Sequence, residues 1–242
     1  MAGMKNCADS PEPVEDVQGD GRWISQHLRF IAEGKSKEPE VLFIGDSIIQ
    51  QMRFSKVWTT LLEPLHCLNF GIGGDQTQHV LWRVTNGELD CIPPKVIVLQ
   101  VGTNNHGHTA EEVIAGILEI VKVIRTKQPM AQIVVMGILP RGERPNPLRI
   151  KNSKVNSEVE AKLRCQKNVT FFAVEDDTFV NSEGMISAND MYDYLHLTPE
   201  GYTKLGEPLL EVIEHLMQMF VKVENVSLDN DSLAGDLASD TQ

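Results

Sequence analysis

Short apolar runs that alternate with helix-like segments constrain the fold of this chain more than any other feature. The runs cover residues 41–44, 67–70, 96–101, 133–136 and 169–174, and a glycine follows each of the first four. Runs that are apolar on both faces are typical of strands in a parallel sheet covered by helices. The pattern therefore predicts a five-stranded parallel sheet.

Helix start signals occupy the stretches between these runs. Thr109 and Glu112 form a capping box, and an N-cap residue precedes a proline at both Asn146 and Thr198. Apolar residues then recur at helical spacing behind each signal. Strand–helix alternation of this kind predicts an α/β fold with three layers (α/β/α) and a doubly wound sheet.

The chain has 242 residues, of which 41% are hydrophobic, and this suffices for one α/β domain, expected over residues 19–222. Residues 1–18 contain two prolines and several acids without periodicity, which predicts a flexible N-terminal arm. Residues 223–242 are rich in Asp, Ser and Asn, which predicts a disordered acidic C-terminal tail.

Charge and composition exclude several classes of protein. A net charge of −12 argues against a protein that binds nucleic acid. The N-terminus lacks the apolar stretch of a signal peptide, and no apolar run is long enough to span a bilayer. The 4 cysteines are scattered without a CxxC motif, as expected for free thiols in a reducing compartment. We therefore expect a cytoplasmic protein without a transmembrane segment.

Four segments with unusual chemistry follow the predicted strands or precede the last helix. They are Gly45-Asp46-Ser47, residues 71–75, residues 102–105 and residues 193–196. Ligands of doubly wound sheets bind beyond the carboxyl ends of the strands. We therefore expect all four segments to meet at one edge of the sheet.

These segments contain the side chains that acyl transfer requires. A serine hydroxyl needs a base to take its proton, and the base needs an acceptor that fixes its tautomer. Ser47, His196 and Asp193 fill these roles in turn, since the Asp-x-x-His spacing lets the carboxylate reach the imidazole. The N–H groups of Ser47 and Gly74 and the amide of Asn104 are the candidate donors to the developing oxyanion.

Each of these residues also has a structural interpretation. A serine after a strand is often a helix N-cap, a histidine before a helix can bind local carbonyls, and Asn104 and Asn105 can cap a turn. His106 and His108 lie beside them, but no carboxylate or cysteine set completes a ligand sphere there. We therefore predict no metal site.

The four motifs occur in the order GDS, GxGG, GTNN and DxxH, and this order resembles that of the SGNH (GDSL-type) hydrolases. The resemblance covers roughly residues 20–220. It implies a flavodoxin-like fold, an enzyme with neither metal nor organic cofactor, and the catalytic and oxyanion-hole roles assigned above.

Longer segments resemble the catalytic alpha subunits of platelet-activating factor acetylhydrolase type IB. These segments are residues 16–23, 69–75, 79–83, 101–108, 139–142 and 191–197. The resemblance implies hydrolysis of the sn-2 acetyl ester of platelet-activating factor-like phospholipids. It also implies a homodimer, or a heterodimer with a related catalytic subunit, that binds a WD40-propeller regulatory subunit. Gln100 departs from the pattern, because the family carries a tryptophan at that position of the third strand.

We predict that Ile48, Thr103 and Leu195 wall a small acyl pocket, which would favour short acyl groups.

Two alternatives to an esterase remain open from the sequence. The second hypothesis is that the chain acts mainly as a scaffold for the WD40 partner, with catalysis secondary. A nucleotide-binding flavodoxin-like protein is the third hypothesis, and it rests only on the fold and the glycine-rich turn.

Overall fold

Five short strands form one parallel sheet in the computed structural model, which describes residues 7–236 but not the side chains of Asp176 and residues 221–236. The strands are β1 Val41–Gly45, β2 Cys67–Gly71, β3 Val96–Gln100, β4 Gln132–Met136 and β5 Val169–Phe172. They lie in the order β2-β1-β3-β4-β5, and every neighbouring pair is parallel. The predicted doubly wound sheet is confirmed.

Helices connect the strands and cover both faces of the sheet. Within the described residues the α-helices are α1 Arg22–Ser36, α2 Ser47–Met52, α3 Thr77–Thr85, α4 Ala110–Lys127, α5 Pro147–Leu163, α6 Asp176–Phe179 and α7 Pro199–Asp236. A π-helix at Trp58–Leu62 and a 3₁₀-helix at Glu63–Leu65 lie between α2 and β2. The predicted capping box forms at the start of α4, where Glu112 N–H donates to Thr109 Oγ1 and Thr109 N–H donates to Glu112 Oε2. None of these helices is long and apolar enough to cross a membrane.

Two hydrophobic clusters, one on each face of the sheet, make this a three-layer α/β/α fold. Helices α1, α3, α4 and α5 contribute to one cluster, represented by Phe30, Val80, Ile117 and Val155. Helices α2 and α7 contribute to the other, represented by Ile49, Met52, Leu205, Leu209 and Ile213. Alternate residues of each strand point to opposite clusters, because side chains along a strand alternate between the two faces.

The strand order reverses direction at β1, which pairs with β2 on one side and β3 on the other. Such a switch point opens a crevice beyond the carboxyl ends of the strands, where α/β proteins bind their ligands. Gly45 ends β1 at this point, and Ser47 begins α2 directly behind it.

The described part of the predicted N-terminal arm lies against the domain. Ala8 is fully buried, and its carbonyl accepts a hydrogen bond of 2.8 Å from Thr77 Oγ1. Glu12 N–H donates to the Gln78 carbonyl at 3.2 Å. Gly116 leaves room for this segment, because a Cβ at that position would stand 2.5 Å from the Ala8 carbonyl oxygen. These contacts hold Ala8 and Glu12 against the domain, residues 1–6 lie outside the described residues, and the flexible arm stays a prediction.

The last helix continues into the segment for which the sequence predicted a disordered tail. Helix α7 runs Pro199–Asp236, so the backbone of residues 223–236 is helical, and residues 237–242 lie outside the described residues. Once a helix is established, each added residue needs little further ordering to gain its hydrogen bond, which explains how the helix can pass a change of composition.

Candidate active site

The turn between β1 and α2 presents Ser47 at the carboxyl edge of the sheet. Gly45 is required by close packing, since a Cβ there would lie 2.1 Å from the Gln100 carbonyl oxygen. Asp46 caps the helix, because its Oδ1 accepts a hydrogen bond of 2.9 Å from Ile48 N–H. Ser47 is the first residue of α2, so its own N–H has no acceptor within the helix and is free to bind a ligand.

A closed loop before α7 presents Asp193 and His196. Met191 and Leu197 form an antiparallel bridge at its base, and both side chains are buried. Tyr194 turns the chain within the loop with a positive φ of 60°. The bridge anchors both ends of the loop in the hydrophobic cluster below α7, which holds the polar residues at a defined height above the sheet.

Ser47, His196 and Asp193 form a continuous hydrogen-bonded chain. His196 Nε2 lies 3.0 Å from Ser47 Oγ, and His196 Nδ1 lies 2.7 Å from Asp193 Oδ2. Asp193 Oδ1 accepts hydrogen bonds from the backbone N–H groups of Leu195, at 3.1 Å, and His196, at 2.7 Å. With Nδ1 donating to the carboxylate, Nε2 is left to accept the proton of the Ser47 hydroxyl.

The hydrogen bonds that Asp193 accepts keep its carboxylate charged. Partial burial, the largest influence, would raise the pKa of Asp193, but hydrogen bonds from the His196 backbone and imidazole outweigh it and lower this pKa. The Tyr192 ring stacks on the His196 imidazole, with ring centroids 5.8 Å apart. Sequence reasoning did not single out Tyr192, although it belongs to the same loop.

The loop after β2 and the loop after β3 meet beside Ser47. Gly74 has a positive φ of 84°, a conformation that favours glycine. Asn104 Nδ2 donates a hydrogen bond of 3.0 Å to the carbonyl of Asp75, which leaves its second N–H for another acceptor. A Cβ built on Gly73 would stand 3.8 Å from Ser47 Cβ, so the β2 loop passes close to the serine.

The two asparagines of the GTNN motif have different surroundings. Asn105 is fully buried, and its amide bonds the N–H and the hydroxyl of Thr77 at the start of α3. Asn104 is partly exposed at the carboxyl edge of the sheet. The structural interpretation therefore applies to Asn105, whereas Asn104 retains a free donor beside Gly74.

The three residues predicted to wall the acyl pocket have different degrees of burial. Ile48 and Thr103 are buried, and Leu195 is half-buried in the loop before α7. Thr103 is held by Arg141, whose Nη1 donates to the Thr103 carbonyl at 2.8 Å and to its hydroxyl at 3.2 Å. The sequence analysis did not assign Arg141 a role, and the acyl pocket itself stays a prediction.

The histidines near the GTNN motif make hydrogen bonds to neighbouring side chains. His106 Nε2 lies 2.8 Å from Arg141 Nη1, and His108 Nδ1 lies 3.3 Å from Asn105 Nδ2. Among the side chains that the structure describes, no group of three His, Cys, Asp or Glu residues stands close enough to hold a metal ion.

Comparison with known proteins gives several close relatives. The human platelet-activating factor acetylhydrolase IB subunit alpha1 is 55% identical over 217 residues, covering 90% of this chain and 94% of that protein. The rat subunit alpha2 is 56% identical over 216 residues, covering 89% of this chain and 94% of that protein. A GDSL-like lipase from Bacteroides thetaiotaomicron shares the fold, with a TM-score of 0.67 at 18% identity over 78% of this chain and 97% of that chain.

A family model extends the likeness to most of the domain. The model of the GDSL-like lipase/acylhydrolase family matches residues 43–204, which include the strand-end segments and the catalytic loop. The sequence resemblance to these hydrolases is thereby confirmed. On this match and on the identity to its relatives, the chain belongs to the GDSL-like lipase/acylhydrolase family.

Proposed function

We propose that this acylhydrolase is a serine esterase that removes the sn-2 acetyl group of platelet-activating factor-like phospholipids. The observation that carries the proposal is the unbroken chain of hydrogen bonds from Asp193 through His196 to Ser47. The relatives named as platelet-activating factor acetylhydrolase subunits support the acetyl ester as the substrate class.

The reaction proceeds in two steps. Ser47 Oγ attacks the ester carbonyl as His196 Nε2 takes its proton, and the resulting oxyanion binds the N–H groups of Ser47 and Gly74 and the Asn104 amide. The intermediate collapses to an acyl-serine, and the alcohol leaves with the proton from His196. Water activated by the same histidine then releases the acid, while Asp193 stabilises the imidazolium in both steps.

Short acyl groups are the preferred substrates in this proposal. Ile48, Thr103 and Leu195 surround the acyl group, and the hydrogen bonds from Arg141 hold Thr103 in place. An acetyl ester is therefore expected to react faster than an octanoyl ester of the same alcohol.

A fluorophosphonate probe tests the nucleophile directly. Ser47→Ala is expected to abolish both hydrolysis of acetyl esters and covalent labelling, with an unchanged melting temperature, because it removes the attacking oxygen. Ser157→Ala, at an exposed serine on α5, is the matched control and should behave as wild type. Mass spectrometry of the labelled peptide identifies the modified residue. Labelling at another serine, or a Ser47→Ala protein that still hydrolyses esters, would show that the proposal is wrong.

Assembly with other subunits belongs to the same proposal. The relatives carry the word subunit in their names, and this supports a homodimer or a heterodimer with a related catalytic subunit. A WD40-propeller regulatory subunit and a cytoplasmic location are the further expectations that follow from the resemblance.

A further inference from the structure

A buried ion network lies behind the β2 loop, outside the groups that touch the reacting atoms. Arg83 of α3 is fully buried, and its Nε donates to Asp75 Oδ2 at 2.8 Å. Its Nη1 donates to Glu88 Oε2 at 2.6 Å. Glu88 Oε1 in turn lies 3.0 Å from His27 Nδ1 of α1, and all four side chains are buried.

The same guanidinium also binds the carboxyl ends of two strands. Arg83 Nη2 donates to the Gly45 carbonyl at 3.1 Å, and Nη1 donates to the Phe70 carbonyl at 3.0 Å. Gly45 is two residues before the nucleophile, and Phe70 is the penultimate residue of β2. One planar group therefore sets the spacing between the start of the Ser47 turn and the start of the β2 loop.

Asp75 connects this network to the candidate oxyanion donors. Its Oδ1 accepts a hydrogen bond of 2.7 Å from Trp23 Nε1, so both carboxylate oxygens are held. Its backbone carbonyl accepts the Asn104 amide at 3.0 Å, and its backbone directly follows Gly74. A shift of Asp75 would therefore move the Gly74 N–H and the Asn104 amide together.

Stability alone does not account for such an arrangement. Burying charges carries a desolvation penalty, and well-packed apolar side chains of similar volume often stabilise a fold as well as a buried ion pair does. Ion pairs and hydrogen bonds do fix relative positions more narrowly than apolar contacts, because their energies depend on direction. The bonds of Arg83 and Asp75 converge on the segments that carry Ser47, Gly74 and Asn104.

We propose that Trp23, Asp75 and Arg83 are positioning residues that hold the oxyanion-hole donors in register with Ser47. The inference rests on the proposed serine-esterase mechanism, and it adds three residues that lie outside the hydrogen-bonded chain of Ser47, His196 and Asp193. Trp23 is the most informative of the three, because the indole N–H makes one hydrogen bond to the network and its removal leaves the buried charges in place.

The test compares two Trp→Phe variants from the same aromatic cluster. Trp23→Phe removes the donor to Asp75, whereas Trp82→Phe is the matched control. Trp82 packs against Trp23 with ring centroids 5.3 Å apart, but no described residue accepts a hydrogen bond from its indole. A loss of activity or of loop order that comes only from weaker aromatic packing should appear in both variants.

The first measurement is the rate at which each variant hydrolyses an acetyl ester, together with its affinity for a trifluoromethyl ketone that mimics the tetrahedral intermediate. Trp23→Phe is expected to lower kcat by about tenfold or more with KM within about twofold, since small misplacements of transition-state donors are costly. The ketone should lose affinity by the same factor as kcat. Trp82→Phe should keep both values close to those of wild type.

The second measurement is hydrogen–deuterium exchange of the peptide that contains residues 71–76, and it does not depend on activity. Exchange should rise in Trp23→Phe and in Asp75→Asn, in which the new side-chain amide places an N–H donor against the donors of Trp23 or Arg83. Exchange should stay unchanged in Trp82→Phe. Unchanged exchange and kcat in both Trp23→Phe and Asp75→Asn would overturn the positioning role. Changes in exchange and kcat in Trp82→Phe that equal those in Trp23→Phe would overturn it as well. If Ser47→Ala retains activity, the esterase mechanism fails, while the exchange experiment still decides whether the network holds the loop.

Discussion

At the residue scale, two buried polar side chains, one just after β1 and one at the end of β3, carry atoms that have no hydrogen-bond partner in the described part of the chain. Asp46 is fully buried, and its Oδ2 has no partner in the described part of the chain. Gln100 is 1% exposed, and neither atom of its amide has a described partner. Gln100 follows Val98 by two positions and so points to the α2 and α7 face of the sheet. Unpaired buried polar groups are uncommon in folded proteins because desolvation costs free energy.

The surroundings of Asp46 predict a pH-dependent stability. Burial raises the pKa of Asp46 from 3.8 to about 7, so the folded chain resists ionisation of this carboxyl. The contribution of the neutral Asp46 carboxyl to the stability of the fold is fully present below about pH 4, and it is lost as the pH rises to about 7. Asp46→Asn keeps the capping oxygen and removes the charge. The free energy of unfolding of Asp46→Asn minus that of wild type should therefore increase as the pH rises over this range, by at most about 1.4 kcal/mol per pH unit.

Urea denaturation at a series of pH values measures this difference. Asp177→Asn, at an exposed aspartate, is the control for the general effect of removing one carboxylate. A gap between Asp46→Asn and wild type that stays constant from pH 4 to pH 7 would contradict the raised pKa of Asp46.

Sequence reasoning selected the candidate catalytic side chains but not the contacts that support them. Ser47, Asp193 and His196 stand out because each is the residue type that one step of acyl transfer needs. Trp23, by contrast, carries no sequence signal for its hydrogen bond to Asp75, since the two are 52 positions apart and the bond forms only when α1 packs.

At the element scale, glycines determine how closely neighbouring segments approach. Helix α4 packs against the N-terminal segment at Gly116, where an added Cβ would stand 2.5 Å from the Ala8 carbonyl and 2.7 Å from Thr77 Oγ1. In an open helix, replacing glycine by alanine stabilises by about 0.5–1 kcal/mol. At Gly116, the backbone of the N-terminal segment would have to move to make room for the added Cβ, so the substitution should destabilise the fold.

We therefore expect Gly116→Ala to destabilise the domain by about 1–3 kcal/mol, the usual cost of overpacking a close contact. Gly107→Ala is the control, because nothing lies within 4 Å of a Cβ at that position. Chemical denaturation of both variants measures the effect. A more stable Gly116→Ala protein would show that Ala8 does not pack against α4 in solution.

The boundaries of the elements were harder to predict than their existence. The strand runs and capping signals are local, so the sequence predicted the sheet and the start of α4 correctly. The position of Ala8 depends on Gly116 and Thr77, which are remote in sequence, whereas composition alone indicated a flexible segment.

At the scale of the whole molecule, helix α1 exposes two neighbouring apolar side chains, and we expect them to contribute to the proposed subunit contact. Ile24 and Leu28 lie one helical turn apart and are 40% and 58% exposed. Contiguous exposed apolar side chains often mark protein–protein contacts.

We expect wild type to have the molar mass of two chains in light scattering, as proposed from its relatives. Leu28→Asp should shift the protein toward the mass of one chain, because it places a charge in the apolar contact. Met130→Asp, at a residue that is 74% exposed on the loop after α4, should leave the mass unchanged. A dimer that persists in Leu28→Asp would exclude this surface as the main contact.

The sequence by itself determined the strand–helix alternation, the order of the motifs and the residue types that acyl transfer needs, because these are local properties of the chain. Only the tertiary structure decided that His196 Nε2 lies 3.0 Å from the hydroxyl of Ser47, 149 positions away. It alone separated Asn104 from the buried Asn105 and joined Arg83 to Gly45 and Asp75. These contacts depend on the packing of distant segments, and no local pattern encodes a distance between residues that meet only when the sheet is complete.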